Sequence, residues 1–161
     1  MLINHHSVIN LEKEGRAYVE IDILKCSDTV MKSVIFKVDT GADCTTISKI
    51  DLSRLGYTNQ WIYRNMQPFP GKLSNANENV VDAALIKIPL INILGHEVKN
   101  MPFLVIKESG RDFRNLLGLD LLSAFNYAFN NDDDVFEISR AKTFKKRDAI
   151  YDDVEIYSVM N

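Results

Sequence analysis

Phe36-Lys37-Val38-Asp39-Thr40-Gly41-Ala42-Asp43-Cys44-Thr45-Thr46-Ile47-Ser48 reads as a strand that stops at an acid. The apolar run ends in a carboxylate, a hydroxyl and a glycine, and the chain then resumes with β-branched residues. A carboxylate directly after Val38 is partly desolvated, a poor place for an anion unless donors or a positive charge face it. Thr40 and Gly41 supply a remedy. Glycine permits a sharp turn whose backbone N–H groups point at the Asp39 carboxylate, and the threonine hydroxyl can lock that turn to a neighbouring strand or subunit.

Upstream, residues 17–24 alternate Val19, Ile21 and Ile23 with Glu20 and Asp22, the period of a half-buried strand. A polar turn at Ser27 and Asp28 leads into a second strand, residues 31–39, which delivers Asp39. Downstream, residues 48–56 predict a short helix: Ser48 caps it, Ile50, Leu52 and Leu55 form its apolar side, and Gly56 ends it. Residues 67–79, with two prolines, a glycine and three asparagines, have loop chemistry. Two β-rich runs separated by Gly95 and His96 predict a hairpin, with Pro89 and Pro102 at strand ends or edges. The apolar run from Asn115 to Asn130 divides into a strand to Gly118 and a helix after it. A last strand follows the acidic turn before Val135, and residues 151–159 alternate again.

Asp39-Thr40-Gly41-Ala42-Asp43 resembles the active-site signature of retropepsins, the single-domain aspartic proteases best known from retroviruses. Leu116-Leu117-Gly118-Leu119-Asp120-Leu121-Leu122 is similar to the family's second signature, a strand beneath the catalytic loop leading into a short helix. The resemblance covers roughly residues 17–138 and implies a mostly β, closed-barrel-like acid protease fold with a short C-terminal helix. It implies an aspartic endopeptidase in which two Asp39 carboxylates, one from each chain of a homodimer, hold the attacking water between them. By the same carry-over Thr40 and Gly41 complete the catalytic signature, and Gly41, Ala42 and Asp43 contact the substrate backbone. The segment from Phe69 to Asn79 falls where the family has its flap, so Pro70, Gly71, Lys72 and Leu73 would close over a peptide. Gly118 and Asp120 support the active site, with Asp120 capping the helix and bracing the catalytic loop. One departure stands out: viral members commonly carry an arginine where this chain has Leu119, and that arginine pairs with the aspartate equivalent to Asp43. Gly-Leu-Asp is closer to cellular and bacterial relatives.

At 161 residues the chain suits one domain with a substantial core, with an N-terminal segment at 1–16, the protease-like domain at 17–138 and an extension at 139–161 able to add an interface strand. Its 46% hydrophobic and 25% charged residues are those of a folded globular protein. A net charge of -3 supplies no basic field for nucleic acid or anionic lipid, so the expected partners are a second copy and a peptide or protein substrate, with no nucleic acid and no membrane. Two cysteines are too few for a disulfide framework, and the expected location is cytoplasmic. No cofactor and no metal are expected: His5 and His6 lack neighbouring ligands, His96 reads as a solvated turn residue, and Asp132, Asp133 and Asp134 lack the spacing of a calcium loop. Lys145, Lys146 and Arg147 read as a solvated face, and Trp61 and Tyr63 as core or interface aromatics. Two other readings are a catalytically inactive dimerisation or peptide-binding module with this fold, and a phosphotransferase using Asp39. The latter would want a second acid where Gly41 stands.

Overall fold

The computed structural model describes residues 5–8, 17–69, 83–106, 115–130, 132, 135–146 and 148–158. Strand β1 (His5–Val8) pairs with β9 (Val135–Arg140), and β9 also pairs with β8 (Phe125–Asn130), giving a three-stranded antiparallel sheet. The larger sheet has β2 (Tyr18–Leu24), β3 (Met31–Val38), β5 (Ala83–Ile93), β6 (His96–Ile106), β7 (Leu116–Leu117) and β10 (Glu155–Ser158) in the order β10-β6-β5-β2-β3-β7. A short β4 (Gln67–Pro68) pairs with β5 off that path. The described fold is mostly β, its larger sheet curled into a half-barrel.

The alternation of residues 18–24 does what its period requires. Val19, Ile21 and Ile23 are buried against the core while Glu20 faces out, and the strand pairs along its whole length with β3. Phe36 of β3 meets Phe103 of β6 with ring centroids 5.9 Å apart, joining the two hairpins through one core.

The hairpin of β5 and β6 turns on Leu94 (φ 49°) and Gly95 (φ 85°), the two positive-φ positions of a tight primed turn. His96 therefore does not sit in the turn. It is the first residue of β6 and is buried, its ring 5.1 Å from that of Phe125 and its Nδ1 3.0 Å from Ser158 Oγ, so the expectation of a solvated histidine is corrected. Pro89 is not at a strand end either. It lies inside β5 opposite Asn100, where the ladder skips a pair and Asn100 takes φ 57°, because proline has no N–H to donate. Pro102 is tolerated inside β6 because β10 covers that strand only over His96–Lys99.

Helix α1 (Lys49–Arg54) starts on Ser48, whose side chain accepts from the Asp51 N–H, and ends on Gly56 at φ 84°. The Tyr57 N–H reaches Leu52 O and the Gly56 N–H reaches Ser53 O, the paired bonds of a Schellman cap. Leu52 and Leu55 are buried, but Ile50 is exposed, since two residues' separation from Leu52 turns it away from the core. A second helix, α2 (Asn59–Asn65), was not expected. It starts on Thr58, buries Ile62, leaves Tyr63 exposed, and sets Trp61 edge-on against Tyr57 at 4.6 Å.

The helix expected after Gly118 is a single turn, α3 (Leu119–Leu122), and the chain from Phe125 becomes β8 rather than more helix. Six residues of that run pair one for one with β9, and the backbone satisfaction of a sheet edge outweighs helix propensity there. The extension beyond residue 138 runs into a 3₁₀ turn at Ala149–Tyr151 and then β10, which pairs with β6 of the same chain.

Candidate active site

β3 carries the chain to Asp39, whose N–H donates to Leu117 O at 3.0 Å. That bond extends the parallel pairing of β3 with β7, Lys37 opposite Leu116 and Val38 opposite Leu117. The turn then closes on itself: the Gly41 N–H donates to Asp39 Oδ1 at 3.0 Å, and the Ala42 N–H donates to Asp39 O at 3.1 Å. A backbone donor is thus aimed at the carboxylate, as the glycine suggested, and it holds the half-buried Asp39 side chain in one orientation. Thr40 and Gly41 are exposed, and the Thr40 hydroxyl has no hydrogen-bond partner among the described residues.

The lock is one turn further on. After Asp43 the chain dives inward, with Cys44, Thr45, Thr46, Ile47 and Ser48 all buried. Thr46 bridges Leu104 of β6 on one side and Leu116 of β7 on the other, so the segment behind the turn is threaded between two strands. The second signature meets it head on. The Leu119 N–H donates to Ala42 O at 2.8 Å, the Asp120 N–H to Asp43 O at 3.2 Å, and the Gly118 N–H to Thr45 Oγ1 at 3.1 Å. A Cβ at Gly118 would lie 2.6 Å from the carbonyl carbon of Cys44 and 2.9 Å from Ala42 O, so the approach of the two loops leaves room only for glycine.

Asp120 is buried, and its carboxylate organises the contact. Oδ1 accepts from the Thr45 N–H at 2.8 Å, the Thr45 hydroxyl at 2.6 Å and the Leu121 N–H at 2.8 Å, while Oδ2 accepts from the Tyr151 hydroxyl at 2.8 Å. Asp120 does not cap α3. Gly118 holds the cap position without a side-chain bond, and Asp120 acts from inside the helix on the chain behind the Asp39 turn. Burial pushes the Asp120 carboxyl above the usual carboxylate range, against the opposing pull of the Thr45, Tyr151 and Leu121 donors. The pocket accommodates the neutral acid: Oδ1 keeps its three donors as a carbonyl oxygen, and Oδ2–H can donate to the tyrosine oxygen.

A pKa raised by folding means the folded state prefers the protonated acid. This group's contribution to stability is therefore full below the unfolded value of 3.8 and is lost as pH rises through the folded value. Asp120→Asn, which cannot titrate, should gain on the wild type in denaturant midpoint as pH is raised from about 3 to 7. Parallel curves for the two proteins would show that Asp120 does not carry this dependence.

Asn115 and Thr45 join the site without having been singled out from the sequence. Asn115 Nδ2 donates to Asp51 Oδ2 at 2.7 Å and to Ile35 O, and its Oδ1 accepts from the Ser48 N–H at 2.8 Å, fastening α1 to the start of β7. Their only signal was polarity inside apolar runs, which marks a buried group that must be hydrogen-bonded. Pro70, Gly71, Lys72 and Leu73 lie outside the described residues. Their flanks are close: Gln67 pairs with Leu85 and Pro68 with Ala84, and Phe69 packs on the cluster of Cys44, Leu85 and Leu104 directly behind the Asp39 turn. Cys26 and Cys44 are thiols, not a disulfide. Among the described residues no group of three His, Cys, Asp or Glu side chains could hold a metal ion, and no helix is long and apolar enough to cross a membrane.

An Asp-Thr-Gly turn at the end of one strand, braced by a glycine-aspartate element arriving from a parallel strand, defines the acid protease class. Residues 31–124, more than half of the chain, match the family described as "gag-polyprotein putative aspartyl protease". Among solved structures, a retropepsin-like aspartic protease from Rickettsia conorii superposes with a TM-score of 0.58 at 24% identity, over 85% of this chain and 99% of that one. No curated protein matches the chain. The chain belongs to the retropepsin-like aspartic protease family.

Proposed function

We propose that this protein is an aspartic endopeptidase that works as a homodimer, each chain contributing one Asp39 to a shared site. The observation that carries the reading is the Asp39 turn, where a single half-buried carboxylate is oriented by the Gly41 N–H within the matched stretch 31–124. One such carboxylate per chain is half of a dyad. Two brought together across a two-fold axis cannot both ionise easily, so they share a proton, the behaviour for which aspartic proteases are the familiar example. The ionised member takes a proton from the water as its oxygen attacks the peptide carbonyl carbon. The protonated member gives its proton to the carbonyl oxygen, leaving a tetrahedral gem-diol. Collapse with proton transfer to the amide nitrogen breaks the C–N bond.

The substrate would lie extended, its backbone met by Gly41, Ala42 and Asp43 and covered by the segment with Pro70, Gly71, Lys72 and Leu73, in the manner of strand addition. Thr40 is exposed beside Asp39, where a second copy can meet it. Gly118 and Asp120 hold the turn from behind. The thiols Cys26 and Cys44 suit a reducing compartment, and we place the enzyme in the cytoplasm.

The test is cleavage of a diverse peptide library between about pH 4 and 7 at several protein concentrations, with solution mass measured in parallel. Cleavage whose specific activity rises with concentration, in step with the dimer fraction, is the expected result. Peptide binding without cleavage at any pH would assign the fold to a binding module instead.

A further inference from the structure

We infer that the segment 148–158 is a positioning arm of the active site, and that Tyr151 is a positioning residue that holds the catalytic turn through Asp120. This deepens the proposed function and rests on it for its kinetic readout only. Tyr151 lies outside the matched family stretch, so nothing in the two signatures predicts it.

The contact is built. Tyr151 is 3% exposed, and its hydroxyl donates to Asp120 Oδ2 at 2.8 Å. Asp120 Oδ1 in turn holds both the N–H and the hydroxyl of Thr45, and Thr45 Oγ1 receives the Gly118 N–H. Next along the chain from Gly118, Leu119 fixes Ala42 O, the carbonyl following Gly41. Four hydrogen-bonded steps and the peptide link from Gly118 to Leu119 therefore join Tyr151 to Ala42, the residue after the Gly41 whose N–H orients the Asp39 carboxylate.

The rest of the arm is fastened to the body at independent points. β10 pairs with β6 over four residues, burying Ile156, and Val154 is buried beside it. Lys87 Nζ meets Asp153 Oδ1 at 2.8 Å, and Asn100 Nδ2 donates to Asp153 O at 3.1 Å. Ile150 packs against the cluster of Cys44, Leu85 and Leu104 that also receives Phe69. The arm thus touches the chain behind the catalytic turn and the root of the expected flap at once. Were the arm to lift, Asp120 Oδ2 would lose the Tyr151 donor inside a buried pocket, and the Thr45 contact would loosen with it.

Tyr151→Phe removes the hydroxyl and keeps the ring. With activity expressed per titrated active site, kcat should fall by about tenfold while KM changes by less than about twofold, because the reacting carboxylates are displaced but the substrate groove is not. Tyr151→Phe introduced into an Asp120→Ala protein should then change kcat by less than about twofold, since the carboxylate through which Tyr151 acts is already gone. Amide hydrogen exchange provides a readout that needs no peptidase activity: the Thr45 and Gly118 amides should exchange about tenfold faster in Tyr151→Phe, with Ile21 of the β2–β3 hairpin unchanged. If the wild type cleaves nothing, the proposed function fails and the exchange measurement still decides this inference. If Tyr151→Phe does not fold, Ile156→Val, which weakens arm docking by about fivefold, should speed exchange at Thr45 and Gly118 by a similar factor. Wild-type kcat together with unchanged exchange at those two amides would overturn the inference.

Discussion

Asp39→Asn protein should fold to within about 0.5 kcal/mol of the wild type and lose at least about three orders of magnitude in kcat/KM. The substitution is nearly isosteric, and the amide oxygen can still accept the Gly41 N–H, so the turn has no reason to open. What disappears is the group that can both take and hold the proton. The dimer reading makes a sharper prediction. Adding an equal amount of Asp39→Asn chain to a fixed amount of wild type, and letting the subunits exchange, should lower activity to about half, because random pairing turns half of the dimers into mixed ones. A site complete within one chain would ignore the added variant. Undiminished activity on mixing would therefore separate a one-chain enzyme from a shared site, even where both are killed by the single substitution.

Gly118→Ala should cost roughly 3 kcal/mol of stability, seen as a drop in melting temperature of about 6–12 °C, and should abolish cleavage in whatever fraction stays folded. The cause is space, not backbone conformation: Gly118 has φ −96° and ψ 178°, which any residue adopts. The added methyl would sit 2.6 Å and 2.7 Å from the carbonyl carbon and oxygen of Cys44 and 2.9 Å from Ala42 O, all backbone atoms that no rotamer change can move aside. Relief requires separating the Leu119–Ala42 and Gly118–Thr45 hydrogen bonds, the ones that set the height of the Asp39 turn. An Ala variant with wild-type stability would show that the two loops have freedom the packing denies.

Much of this was legible because short-range physics and the final environment agree. The period of residues 18–24 gave a strand with its buried face assigned, the serine at 48 capped a helix, and Asp39-Thr40-Gly41 formed a turn with a donor on the carboxylate. Reading failed where the environment overrides local preference. Helix α2 buries Ile62 but carries no apolar stripe long enough to announce a period, and its Thr58 cap was the only clue. The run from Phe125 is apolar in either period, so only its pairing with β9 settles it as strand. His96 looked like turn chemistry because Gly95 precedes it, yet the turn ends one residue earlier and the ring is covered by Phe125 and the arm. Tyr151 carried no signal, since its partner Asp120 is 31 positions away and no local pattern connects a tyrosine to a buried acid.

The parallel pairing of β3 with β7 also fixes when the site can exist. Lys37 must wait for Leu116, and Asp120 for Tyr151, so the Asp39 turn is closed by partners synthesised long after it. Contacts so distant in sequence form late in folding, after the local hairpins of β2–β3 and β5–β6. During synthesis, then, Asp39 is made well before Leu116, Asp120 and Tyr151, and the geometry of the candidate site is complete only once those later partners have joined it.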